Sequence, residues 1–127
     1  MQIRSSFLTG CIHAFLSVSL GAFGAHALKE RISSEMLEIY NTGIQYQMFH
    51  AIGLFIVAFA SLHVGDRAEL RWATWLFNIG IMLFAGSLYV LAITEIRALG
   101  AITPFGGVAF LAGWTLLALS MRAKHKK

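Results

Sequence analysis

The sequence predicts an all-α membrane protein: a four-transmembrane-helix bundle with a short outer amphipathic helix between spans 1 and 2. Two observations carry the prediction. Four stretches, 5–28, 39–65, 72–94 and 98–121, contain no Asp, Glu, Lys or Arg. A helix rises about 1.5 Å per residue and a bilayer core takes about 20 apolar residues to cross, so each stretch is long enough. Composition points the same way, with 57% hydrophobic and 13% charged residues, where soluble chains carry about 25% charged. A chain of 127 residues has too much surface to hide that much apolar matter, whereas lipid solvates it. The chain reads as a single integral membrane domain, 1–127, with spans at about 5–28, 44–64, 72–94 and 103–121.

The first span carries Ser17, Gly21 and Ala25 four apart, with Gly24 beside them. Such a row lets another backbone approach closely. His13 lies one turn before Ser17 on that stripe and is expected to face protein. The lone Cys11 also falls in this span; it excludes an intrachain disulfide and reads as packing. Arg4 and the Ala25-His26-Ala27 triplet resemble a signal peptide, but the apolar run is about twice the usual length, so an uncleaved first span is expected.

The first loop is the one sizeable polar segment. Ser33 or Ser34 can cap a helix, and Glu35 and Glu38 suit its first turns. Met36, Leu37, Tyr40 and Ile44 recur at helical spacing, which predicts a short amphipathic helix on the outer surface, bending at Gly43 into the second span. That span opens with Tyr46, Gln47 and His50 on one face. The third span carries Asn78, Met82, Ala85 and Tyr89 on one stripe, with Gly80, Ser87 and Thr94 on the next. The fourth starts at Thr103, a cap, and Pro104, which fits the first helical position. Gly106, Phe110, Gly113 and Ser120 form its expected packing face. Trp72, Trp75 and Trp114 are candidates for interface anchors.

Charge sets the expected orientation. Seven basic residues (Arg4, Arg67, Arg71, Arg122, Lys124, Lys126, Lys127) fall on the side of the termini and three (Lys29, Arg31, Arg97) on the other. The positive-inside rule then places both termini in the cytoplasm, with a bacterial cytoplasmic (inner) membrane as the natural setting. Basic residues at span ends suit anionic headgroups rather than nucleic acid.

The segments Gly21-Ala-Phe-Gly-Ala-His-Ala-Leu-Lys29, Thr42-Gly-Ile-Gln-Tyr-Gln-Met-Phe-His50, Phe84-Ala-Gly-Ser-Leu-Tyr89, Thr103-Pro-Phe-Gly-Gly107 and Gly113-Trp114 give the chain its resemblance to the YgdD/YwdK-like small membrane protein family, a family of unknown function. The resemblance covers nearly the whole chain, in the same order. Ala85 stands where the family pattern has Ser. A four-span bacterial inner-membrane protein is what the resemblance implies, and it brings no catalytic residues.

With the topology above, His26, Tyr46, Gln47, His50, Ser87, Tyr89 and Thr103 converge on the outer half of the bundle, while His13, Ser17, Ser61 and Asn78 stay in the inner half. Intramembrane polar groups are costly and are either paired or functional. Three readings follow. The cluster locks the bundle by interhelical hydrogen bonds. Alternatively, it lines an outward-facing pocket for a small anionic ligand, such as a carboxylate or phosphate, or a lipid headgroup, aided by the start of span four. In the third, His26 and His50 ligate a haem or metal, although the donors for zinc are incomplete. No Ser-x-x-Lys, His-Glu-x-x-His or phosphate loop occurs, so a non-enzymatic protein without a cofactor is expected. Membrane lipid is the expected partner. A small oligomeric transporter or permease is the alternative, and the small-residue stripe is compatible with a homo-oligomer.

Overall fold

A computed structural model describes residues 2–122. Four helices follow one another: α1 (Gln2–Phe23), α2 (Ser34–Val64), α3 (Ala68–Thr94) and α4 (Thr103–Ser120). Each of the four segments is long and apolar enough to cross a membrane. A π-helical turn, Gly24–Leu28, closes α1, and a 3₁₀ turn, Arg97–Ala101, leads into α4. Lys124, His125, Lys126 and Lys127 lie outside the described residues.

The helices pack in chain order, α1 on α2, α2 on α3 and α3 on α4. Two connections, α1–α2 and α3–α4, share one end of the bundle, here the double-loop end. The α2–α3 turn lies at the terminal end. Helix α4 has 18 residues and is about 27 Å long. Helix α2 has 31, about 46 Å, and so outruns a hydrocarbon core of about 30 Å.

That length is a correction to the separate outer helix expected from the first loop. Its residues are present as the first turns of α2, capped by the Ser33 hydroxyl on the Met36 N–H at 3.2 Å. The helix runs through Gly43 without a break. Gly43 serves packing instead: a Cβ there would lie 2.6 Å from the Tyr89 ring. Nor do Met36 and Tyr40 lie on a surface. Each is 1% exposed, packed with Leu28, Leu91 and Ala92.

Gly65, at φ +79°, ends α2 where a side chain would be strained. Where α3 meets α4 the backbones touch through Gly80 and Gly106. A Cβ on Gly106 would sit 2.5 Å from the Phe84 amide nitrogen and 2.9 Å from the Gly80 oxygen. Such closeness matters in lipid, where apolar surroundings give helices no hydrophobic reason to associate and packing contacts must hold them. Leu54, Val57, Leu70, Phe77, Ile81, Ala85 and Phe110 form the main core. As expected, Gly106, Phe110, Gly113 and Ser120 are all buried. Cys11, by contrast, is exposed rather than packed, and Met82 is exposed although Ala85 on its stripe is buried.

Candidate functional site

Tyr46 and Gln47 are neighbours in sequence but about 100° apart around the helix. That angle divides the polar residues of α2 between two sites. Gln47 turns toward α1 and α3. Tyr46 and His50 turn toward α4.

On the α1–α2–α3 seam, Tyr89 donates its hydroxyl to Gln47 Oε1 at 2.7 Å. Gln47 Nε2 meets His13 Nδ1 at 3.2 Å, and His13 Nε2 meets Asn78 Oδ1 at 3.0 Å. Asn78 Nδ2 donates to the Thr74 carbonyl at 2.9 Å and to Thr9 Oγ1 at 3.3 Å. One turn further toward the terminal end, Ser6 and Thr74 pair through their hydroxyls at 2.8 Å. His13 and Gln47 are buried. Tyr89 also packs against Tyr40, ring centroids 5.1 Å apart, and Tyr40 donates to the Leu20 carbonyl. Thus His13 and Asn78, expected to stand apart in the other half, lie on one hydrogen-bonded chain with Gln47 and Tyr89.

On the other side, the backbones of α2 and α4 scarcely approach each other, and aromatic rings fill the gap. His50 stacks on Phe110 with centroids 3.5 Å apart and planes at 7°. Its Nδ1 lies 2.8 Å from the Tyr46 carbonyl, so Nδ1 carries the hydrogen and Nε2 is bare. Trp114 Nε1 donates to that bare nitrogen at 2.9 Å. Both ring nitrogens of His50 are therefore occupied.

Beside this pair lies a groove of about 700 Å³, lined by Gln45, Tyr46, Phe49, His50, Phe84, Pro104, Gly107, Val108, Phe110, Leu111 and Trp114. Its walls are aromatic and aliphatic, and none of the lining residues is a cation. Phe49, Val108 and Leu111 are exposed toward the surroundings of the bundle, so the groove is open sideways. Gln45 and Pro104 mark its mouth near the start of α4, and Trp114 lies about 15 Å deeper, ten residues along that helix.

Ser87 and Thr103 pair with each other at 2.6 Å, joining α3 to the start of α4. Thr103 does not cap α4. The 3₁₀ turn runs into the helix through Ile102, which is already helical, and Phe105 N–H donates to the Ile102 carbonyl. The first turn thus offers a ligand fewer free N–H groups than an open helix start. His26 sits exposed in the π-helical turn and shares none of the ring contacts that hold His50. The structure does not bring these two histidines together as a ligand pair.

Nothing in the sequence singles out Gln45, Phe49, Phe84, Val108 and Leu111 as site residues, and Trp114 reads there as an anchor. One signal pointed to Trp114: an indole N–H in mid-span must find an acceptor. Trp72 and Trp75 are exposed, as anchors would be.

Comparison with known proteins places these features in a family context. The family model described as "Protein of unknown function (DUF423)" matches residues 20–107. The UPF0382 membrane protein YwdK of Bacillus subtilis is 48% identical over 113 residues, covering 89% of this chain and 92% of that protein. A UPF0382 membrane protein of Staphylococcus haemolyticus, SH2409, is 43% identical over 114 residues, covering 89% and 91%. One from Haemophilus influenzae is 42% identical over 117 residues, covering 91% and 93%. No solved structure matches.

Proposed function

We propose, for a chain that belongs to the DUF423 family and whose relatives are membrane proteins, a non-enzymatic role as a binder of membrane lipid. The groove between α2 and α4 takes one acyl chain of a glycerophospholipid. The single observation that carries this reading is the groove itself: about 700 Å³, almost wholly apolar, open sideways and without a cation in its lining. Its volume falls in the range of ligand pockets, about 300–1,000 Å³. A free anion would find no counter-charge there, whereas a hydrocarbon chain would find Phe49, Phe84, Val108, Phe110 and Leu111. At the mouth, the exposed Gln45 amide and the half-exposed Tyr46 hydroxyl suit the ester carbonyls of the same lipid. The charge asymmetry of the loops supports opening of that mouth into the outer leaflet of a bacterial cytoplasmic membrane.

Gly107 supplies the test. A Cβ placed there meets nothing nearer than a Phe84 ring carbon at 4.0 Å, so Gly107→Phe would fill the groove without a backbone clash. Native mass spectrometry of gently purified protein should show one retained phospholipid on the parent and none on Gly107→Phe, with the fold intact by circular dichroism. A parent that carries no lipid, or a variant that retains it equally, would overturn the reading.

A further inference from the structure

The direction of each hydrogen bond from Asn78 through His13 and Gln47 to Tyr89 follows from one backbone carbonyl. The Thr74 carbonyl can only accept, so the Asn78 atom 2.9 Å away is its amide nitrogen. Asn78 therefore presents its oxygen to His13. His13 Nε2 must carry a hydrogen to donate to it, at 3.0 Å. The neutral ring then has a bare Nδ1, which accepts from Gln47 Nε2. Gln47 is left with its oxygen toward Tyr89, whose hydroxyl donates. The Thr9 hydroxyl fixes the same direction independently: it donates to the Ser5 carbonyl at 2.8 Å and so accepts from Asn78.

A second arrangement of the same atoms is available. If Gln47 turns its amide by half a revolution, its oxygen faces His13 Nδ1 and its nitrogen faces the Tyr89 oxygen. His13 then has a carbonyl oxygen on each side, Gln47 Oε1 and Asn78 Oδ1. Two acceptors are what an imidazolium needs, since both of its nitrogens donate. Asn78 cannot turn in the same way, because Thr74 and Thr9 hold its amide group. The seam therefore has one movable joint, at Gln47.

We propose that His13 is a proton-binding site in the middle of the bundle, and that Gln47 relays its occupancy to Tyr89. A hydronium ion gives its proton to His13 Nδ1 and leaves as water; the N–H bond forms there as the Gln47 N–H···N bond is given up. The Gln47 amide turns, and the Tyr89 hydroxyl changes from donor to acceptor toward it. Tyr89 packs on Tyr40, which is hydrogen-bonded to Leu20 beside the π-helical turn. A proton at mid-bundle thereby acts on the double-loop end.

Among the described residues, no charged side chain faces His13. On α2, Glu35 and Glu38 lie in the first turns, His63 lies in the last and His50 faces α4. On α3, Glu69 and Arg71 lie near the start, leaving Tyr89, and Tyr40 packed against it, as the titratable groups on the seam. Arg4 is exposed near the start of α1, and His26 is exposed beyond its end. Hydrogen bonds to the two amide oxygens must therefore hold the cation, and that makes the turn of Gln47 necessary.

The test is NMR on the full chain in lipid nanodiscs, with ¹⁵N-labelled histidine and ¹³Cζ-labelled tyrosine. His13 and Tyr89 are assigned by signals lost in His13→Gln and Tyr89→Phe. At neutral pH, His13 should show a protonated Nε2 and a bare Nδ1. On acidification, Nδ1 should become protonated and the Tyr89 Cζ signal should shift with the same midpoint. In Gln47→Met the Tyr89 response should vanish. A neutral His13 with the hydrogen on Nδ1, an Nδ1 that stays bare throughout, or a Tyr89 signal indifferent to the His13 proton would each overturn the proposal. If Gln47→Met fails to fold, the parent titration alone decides.

Discussion

Trp114 reaches across the space between α4 and α2 to donate its indole N–H to His50 Nε2 at 2.9 Å. The two helices scarcely touch through their backbones, so this bond and the rings around it connect them. His50 is fixed from behind by the Tyr46 carbonyl and from the side by Phe110. Its bare nitrogen therefore points at the indole whether or not the groove is filled. The relationship closes one wall of the groove and joins the first half of the chain to the second.

Replacing Trp114 with Phe keeps an aromatic ring but leaves His50 Nε2 without its donor. Interhelical hydrogen bonds in membrane proteins contribute about 0.6–2 kcal/mol. Trp114→Phe should lower stability by that amount. The bond itself should appear as a coupling of the same size in a double-mutant cycle with His50→Leu, read from thermal unfolding in detergent. A coupling of zero would show that the rings alone hold α2 to α4.

Two glycines make a matched comparison. A Cβ at Gly106 meets the backbone of Phe84 and Gly80, whereas a Cβ at Gly86 meets nothing within 4 Å. Gly106→Ala should force α3 and α4 apart and cost about 1–3 kcal/mol or more. Gly86→Ala should be neutral, or stabilise by up to about 1 kcal/mol through helix propensity. Equal melting temperatures for the two variants would contradict the close crossing at Gly106.

The four spans, the Pro104 start and the buried face of α4 were legible because charge-free length and helix-start chemistry are local properties. The direction in which each helix turns was not. In water, an amphipathic pattern separates core from solvent. In lipid both sides are apolar, so Tyr46, Gln47 and His50 offered no sign that Gln47 turns to α1 while the other two turn to α4. His13 was legible as protein-facing because it shares a stripe with Ser17. Its partners were not, since Gln47 and Asn78 come from two other helices whose relative depth the sequence leaves free. Gly43 was read as a bend because glycine serves bends and close approaches alike; the Tyr89 ring against it decides for the approach.

Ser33 begins the segment that replaced the expected surface helix. Its hydroxyl accepts from the Met36 N–H, and Met36 and Tyr40 follow directly into the buried cluster with Leu28 and Leu91. Ser33→Ala should cost about 0.5–2 kcal/mol, the usual range for a lost N-cap. Amide hydrogen exchange should report faster opening of the first turns of α2, with the terminal-end turns of α2 unchanged. A uniform increase across α2 would argue against a local cap.

Arg67 performs the corresponding task at the terminal end. From the α2–α3 turn its guanidinium donates to the carbonyls of Ser120 and Arg122, at 2.5 and 3.1 Å, where α4 ends. Those carbonyls have no further turn of helix to bond, and a cation there complements the helix dipole. Arg67→Met keeps the aliphatic stem but removes both donors, and should cost about 1–3 kcal/mol, the range for hydrogen bonds to charged groups. Arg67→Lys should lose less. An ammonium keeps the charge, and the substitution also removes the Arg67 Nε–H, which is buried without a partner among the described residues. The Arg71–Asp66 pair is a control at the same end: both side chains are more than half exposed, so Asp66→Ala should change stability by no more than about 1 kcal/mol. Unfolding in detergent gives all three values. A loss at Asp66 as large as that at Arg67 would show general surface charge, rather than the tie to α4, stabilising this end.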